Sequence, residues 1–66
     1  MTLSQLQLAI LDVLWTRGEA TVAEVQEALQ EERALAYSTV STLLSRLEQK
    51  GAVSHRAEGR VFLYRA

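Results

Sequence analysis

Three helical stretches followed by a terminal pair of strands make this 66-residue chain a mainly α, α+β domain. Apolar residues recur at spacings of three and four as far as Leu47, the pattern of helices with one buried face. A hydroxyl residue with Gln or Glu three positions on occurs twice just ahead of such a run, at Ser4/Gln7 and Thr21/Glu24, and marks two helix starts. After Gly51 the period drops to two, and Glu58-Gly59 interrupts the alternation, as a tight turn between strands does.

The first helix begins at Ser4, with Leu3 and Leu8 placed to staple its opening turn. Leu6, Ile10, Val13 and Leu14 form its inner stripe, Trp15 joins the core near its end, and Gly18 stops it. The second, capped by Thr21, offers Val22, Val25, Ala28 and Leu29, then fades in Gln30-Glu31-Glu32-Arg33. The third runs from Ser38, read as its N-cap, to Lys50, where the cation suits the negative end of the helix dipole and Gly51 ends the helix. Val40, Leu43, Leu44 and Leu47 are its core residues.

The hairpin comprises AVSHRA and RVFLYR. A two-residue loop at Glu58-Gly59 sets Val53 against Tyr64 and His55 against Phe62 on one side, leaving Ser54, Arg56, Val61 and Leu63 on the other. A bulged turn at Gly59 is one alternative register. A slip by one residue is another, and it would bury Val61 and Leu63 and expose Phe62 and Tyr64. Helix, helix, helix, hairpin is the order of a winged helix-turn-helix, expected to fill residues 1–66 as one domain.

Composition narrows the function. A chain this short buries only about 60% of the surface its unfolded form exposes, so it holds one small core. Without cysteine there is no disulfide framework and no thiolate metal site, and stability rests on packing. No apolar run reaches membrane-span length and the N-terminus shows no export signal, so a cytoplasmic location is expected, without membrane contact. The net charge of −1 argues against a nucleic-acid partner until it is divided along the chain. Residues 1–33 set Arg17 and Arg33 against six carboxylates, a net −4, whereas residues 34–66 set Arg46, Lys50, Arg56, Arg60 and Arg65 against Glu48 and Glu58, a net +3. That asymmetry suits one face meeting an anionic partner.

The outer face of the third helix points the same way. Ser38, Thr39, Ser41, Thr42 and Ser45 crowd five hydroxyls into eight positions, although such residues are mediocre helix formers. With the apolar stripe committed to the core, Ser38, Ser41, Thr42, Ser45, Arg46 and Gln49 face outward, and Glu48 lies towards the flank. Short hydroxyls allow close approach, bond to phosphates or base edges, and in Thr offer a methyl to thymine. Arg46, Lys50, Arg56 and Arg60 are the expected phosphate contacts. A surface of solvated hydroxyls is the plain alternative for any one of these residues; five on one helix favour double-stranded DNA.

The stretches LSQLQLAILDVLWTRGEATVAEVQEAL and LAYSTVSTLLSRLEQKGAVSHRAEGRVFLYRA resemble the DNA-binding domain of the penicillinase-repressor (BlaI/MecI/CopY) family over essentially all 66 residues. ILDVLW, YSTVSTLLSRLEQKG and EGRVFLYR carry the most specific part of the likeness. The resemblance implies a winged-helix repressor that binds inverted-repeat operators as a homodimer and blocks transcription of resistance or copper-homeostasis genes. By position it places Tyr37, Ser38, Thr39, Ser41, Thr42 and Arg46 where the family's recognition helix meets DNA, and Arg60 at the wing tip. Family members continue past the equivalent of Ala66 into helices that dimerise and, in the antibiotic-responsive branch, hold the site cut by a sensor protease. The copper-responsive branch senses metal through C-terminal cysteines, so metal sensing is not placed on these residues, and no cofactor is expected. Some relatives carry a basic residue where this chain has Ser41, which removes one arginine-to-guanine contact. A weakly associating or monomeric domain follows, and a regulator lacking its dimerising half would bind DNA too weakly to repress alone.

Catalysis finds no support in these residues. His55, the single histidine, has no second His, Cys or paired carboxylate at motif spacing, and reads as wing surface or a half-buried group. Gly18, Gly51 and Gly59 are isolated turn signals, and no nucleophile has an adjacent base. The competing reading is a winged-helix protein-interaction module, since fold alone does not decide function.

Overall fold

A computed structural model describes residues 4–66. Helices α1 (Gln5–Arg17), α2 (Val22–Ala28) and α3 (Tyr37–Gln49) precede strands β1 (Ser54–Glu58) and β2 (Val61–Arg65). This is the winged helix-turn-helix order expected from the sequence.

Both capping boxes form. The Ser4 hydroxyl accepts from the Gln7 backbone amide at 3.1 Å while the Gln7 side-chain Oε1 accepts from the Ser4 backbone amide at 3.0 Å. Gln7 is thereby satisfied although buried. Thr21 and Glu24 exchange the same pair of bonds at 3.1 and 2.8 Å. The proposed Leu3–Leu8 staple lies outside the described residues in its Leu3 half. Helix α3 ends as Gly51 dictates: at φ 81° this residue lets its own amide reach the Glu48 carbonyl and the Ala52 amide reach that of Leu47, closing two otherwise orphaned acceptors.

Ile10, Leu14, Val25, Val40, Leu44 and Leu47 are fully buried where the three helices meet, and Leu29, Val53 and Tyr64 seal the margins. Two residues expected inside lie outside. Trp15 is 63% exposed, because the buried face of α1 is centred on Ile10 and Leu14 and Trp15 falls about a quarter turn away on the flank beside exposed Leu8. Ala28 is exposed for the same geometric reason, on the flank of α2. Conversely, Leu11 is buried without having been counted in the stripe.

Helix α3 also starts one residue early. Ala36 is its N-cap, with no side-chain bond, and Ser38 sits exposed inside the first turn. The chain ahead of it is held from elsewhere: Leu35 packs on the core and its carbonyl accepts from the Gln26 side chain at 2.9 Å. That tertiary anchor fixes where the helix begins, and the serine hydroxyl has no part in it.

The hairpin register differs from the expected one by two residues. His55 pairs with Tyr64, Ala57 with Phe62 and Glu58 with Val61, so the loop is Gly59-Arg60. Gly59 at φ 62° occupies the first central position and Arg60 after it does not take positive φ, which matches a II′ turn. A shift of two preserves the faces, so Val53, His55, Phe62 and Tyr64 still share one side. Exposure does not follow face alone, however. Tyr64 is buried at 4%, but Phe62 is 51% exposed because it lies farther out along the wing, while Leu63 on the opposite side is half-buried and Val61 is exposed. Beyond β1, the amide and carbonyl of Tyr64 exchange bonds of 2.8 and 2.9 Å with Ala20, so β2 is paired on both edges at its base.

Candidate nucleic-acid interface

Because Val40, Leu44 and Leu47 point inward, α3 turns its hydroxyl residues outward in two groups. Ser38, Thr39, Thr42 and Arg46 line a shallow depression of about 240 Å³ on one flank, with Leu43 at its floor. Tyr37, Ser41 and Ser45 line the other flank, which faces the wing across a groove of about 380 Å³. Arg60, Val61 and Phe62 form the far wall of that groove, and Thr21, Val22 and Ala23 at the start of α2 close one end. Helix α3 thus carries hydroxyls on both flanks, towards the wing groove on one side and towards the shallow depression on the other.

The charges are sorted by what they already touch. Arg46 and Lys50 at the end of α3, and Arg60 at the wing tip, have no carboxylate within ion-pair distance among the described residues. Arg56 differs. Its Nη2 and Nε reach the two Glu19 oxygens at 2.7 and 3.2 Å, and its Nη1 reaches Glu58 at 2.7 Å. One guanidinium held between two carboxylates, with the Arg65 charge also acting on Glu19, is already neutralised and is not free to attract phosphate. Hydrogen bonding to Arg56 draws the Glu19 carboxyl below its usual range, and the same bonds hold the guanidinium in its charged form. Arg56 therefore stands apart from the other expected phosphate contacts, on the outer side of the wing.

Two further groups join wing to helix. The His55 Nδ1 lies 2.6 Å from Glu48 Oε1, and the imidazole rests against Phe62 and Tyr64 with ring centres 4.6 and 5.3 Å away. Burial first, and then the Glu48 charge, raise the Tyr64 phenol pKa, while neighbouring Ser45 acts in the opposite direction. Glu48 thus occupies the flank, as its place in the helix requires, and His55 is wing surface turned towards α3.

The sequence reading names these residues as one set; the structure brings Tyr37, Ser41, Ser45 and Arg60 together on the groove and Ser38, Thr39, Thr42 and Arg46 on the opposite flank of α3, and it places Lys50 and Arg56 in neither. It missed Val61 and Phe62 as groove walls and Glu19 as the partner of Arg56. The Glu58 contact had a local signal, since residues two apart on a strand share a face. The Glu19 contact had none, being 37 positions distant.

The family model described as Penicillinase repressor matches residues 3–66. The Transcriptional regulator BlaI of Mycobacterium tuberculosis is 44% identical over 63 residues, covering 94% of this chain and 46% of that protein. The chain accordingly spans about half the length of that curated relative. A solution structure of the DNA-binding domain of the repressor BlaI superposes with a TM-score of 0.84 at 34% identity, covering 97% of this chain and 78% of the other. The monomeric form of Bacillus licheniformis BlaI, solved in complex with the blaP half-operator, gives a TM-score of 0.79 at 34% identity, covering 98% and 79%. With a family match along nearly its whole length and the same arrangement of helices and wing, the chain belongs to the penicillinase repressor family.

Proposed function

We propose that residues 1–66 are one domain that binds double-stranded operator DNA, with α3 in the major groove and the wing beside the backbone, as the DNA-reading part of a transcriptional repressor. The observation that carries this is the distribution of side chains around α3: hydroxyls on both flanks, with Arg46 beside the depression, Arg60 across the groove and Lys50 at the helix C-cap, all three without carboxylate partners among the described residues. Base edges are read by Ser38, Ser41, Thr42 and Ser45, whereas the cations position the duplex. Tyr37 and Thr39 flank the groove and the depression respectively, within reach of the same strand. The relative solved with a half-operator supports this placement by likeness of fold and sequence. The role is recognition, not catalysis, exercised where the operator is, in the cytoplasm; none of the described helices is long and apolar enough to cross a membrane.

The family resemblance implies an inverted-repeat operator and a homodimer for longer members, and we expect the 66-residue domain to be a weakly associating monomer that occupies half-sites nearly independently. Titrating the domain with operator half-site duplex at low salt tests the reading, and sedimentation analysis tests the association state. Absence of binding even at low ionic strength would return the chain to the protein-interaction alternative. A tight dimer at micromolar concentration would overturn the monomer expectation.

A further inference from the structure

Glu48 is the one acidic residue of α3, and an acid on a helix that meets DNA should repel phosphate. The wing supplies a reason for its presence. Its carboxylate lies 2.6 Å from the His55 Nδ1, a short hydrogen bond, and that ring in turn packs against Phe62 on β2. Among the described residues the Glu48–His55 contact is the one side-chain hydrogen bond that joins the wing to α3.

A two-stranded ribbon is marginal alone, so the outer wing takes its direction from whatever holds it. We propose that Glu48 and His55 are a positioning pair for DNA recognition: Glu48 holds the imidazole, the imidazole holds Phe62, and Phe62 sets Arg60 across the groove from Ser41 and Ser45 at the spacing one DNA strand requires. This rests on the DNA-binding reading given above. Helix and wing are thereby presented to the duplex as one rigid surface, which reduces the ordering cost of binding. Both side chains are about one-third exposed, and exposed pairs add little to folding stability. The pair acts on geometry, through Arg60.

The experiment compares the wild-type domain with His55→Ala, Glu48→Ala, Arg60→Ala and the His55→Ala/Arg60→Ala double variant. Each binds labelled half-site duplex across a salt series, and ¹⁵N relaxation of residues 58–62 is recorded on the free proteins. Thermal melts confirm that each variant is folded, and His55→Phe, which keeps the ring stack and loses the bond, replaces His55→Ala should that variant unfold. If the pair positions Arg60, His55→Ala flattens the plot of log K against log salt by about 0.9, as Arg60→Ala does. The double variant then binds within about twofold of Arg60→Ala alone, because the two losses are one loss. Glu48→Ala weakens binding, although simple removal of a negative charge would tighten it. Relaxation shows residues 58–62 more mobile in the free His55→Ala domain. Additive losses, tighter binding by Glu48→Ala, or a wing no more mobile than the wild type would each overturn the proposal. Failure of the wild-type domain to bind any duplex would refute the DNA-binding reading instead, and relaxation alone would then decide whether the pair holds the wing.

Discussion

Arg60→Ala and Arg56→Ala should separate cleanly in a salt titration, although the two residues are four apart on one hairpin. Arg46 and Lys50 at the end of α3 and Arg60 on the wing have no carboxylate partners among the described residues. If each neutralises one phosphate, the wild-type domain shows a slope of log K against log salt of about −2.7. Removing Arg60 deletes one contact and brings the slope to about −1.8. Arg56 is held by Glu19 and Glu58 at 2.7 Å each, so its removal leaves the slope near its wild-type value. Fluorescence anisotropy of a labelled half-site duplex between about 50 and 200 mM salt covers the steep region, in which three contacts amount to a change of about fortyfold. A slope for Arg56→Ala that falls by as much as that for Arg60→Ala would refute the argument, since it would mean that the guanidinium leaves both carboxylates for phosphate when DNA arrives.

Other expectations follow from the same structure. Thr42→Ala should narrow the difference in affinity between operator and random duplex, because Thr42 lies on the outward face of α3; equal losses on both sequences in competition binding would remove it from base readout. Leu44→Ala, at a fully buried position, should cost about 2–5 kcal/mol by denaturant unfolding, a large share of what a domain of this size possesses. A loss below 1 kcal/mol would show that the core closes over the cavity. For pH, the Glu19 pKa is lowered on folding, so the stability it supplies is complete above its ordinary value of 4.5 and disappears as pH falls through the lower folded value. Glu19→Gln should therefore lose less stability than wild type when thermal midpoints are followed through the acid range, and identical acid limbs would contradict that link.

What could be read from the sequence was what is encoded locally. Both capping boxes involve residues three apart, and the stripe of α3 repeats within one helix, so the partners are visible side by side. The two faces of the hairpin were legible because alternation defines them; the turn was not, since Glu58-Gly59 and Gly59-Arg60 differ only in which residue takes positive φ, and a shift of two leaves every side chain on its face. Trp15 reads as core because it is apolar and follows Val13 and Leu14 at the end of the stripe, and only the packing of α1 on the other helices shows that its buried face is Ile10, Leu11 and Leu14. At the candidate site the hydroxyls and cations were apparent as residue types. Which cations are already neutralised depends on Glu19 meeting Arg56 across 37 positions, and no local pattern carries that.

The outward position of Trp15 has an optical consequence. It is the chain's single indole and stands 63% in water while the domain is folded. Its intrinsic emission is already that of a hydrated ring, so melting the domain changes its surroundings little and the indole band reports unfolding poorly. Tyr64, 4% exposed, changes far more, and absorbance or near-ultraviolet dichroism of tyrosine is the better monitor of the fold. The same indifference makes the indole selective for another event. Any surface laid along α1 withdraws that ring from water without altering the core, so a blue shift with protection from acrylamide quenching would register assembly on that helix in a protein whose folding leaves the signal almost still.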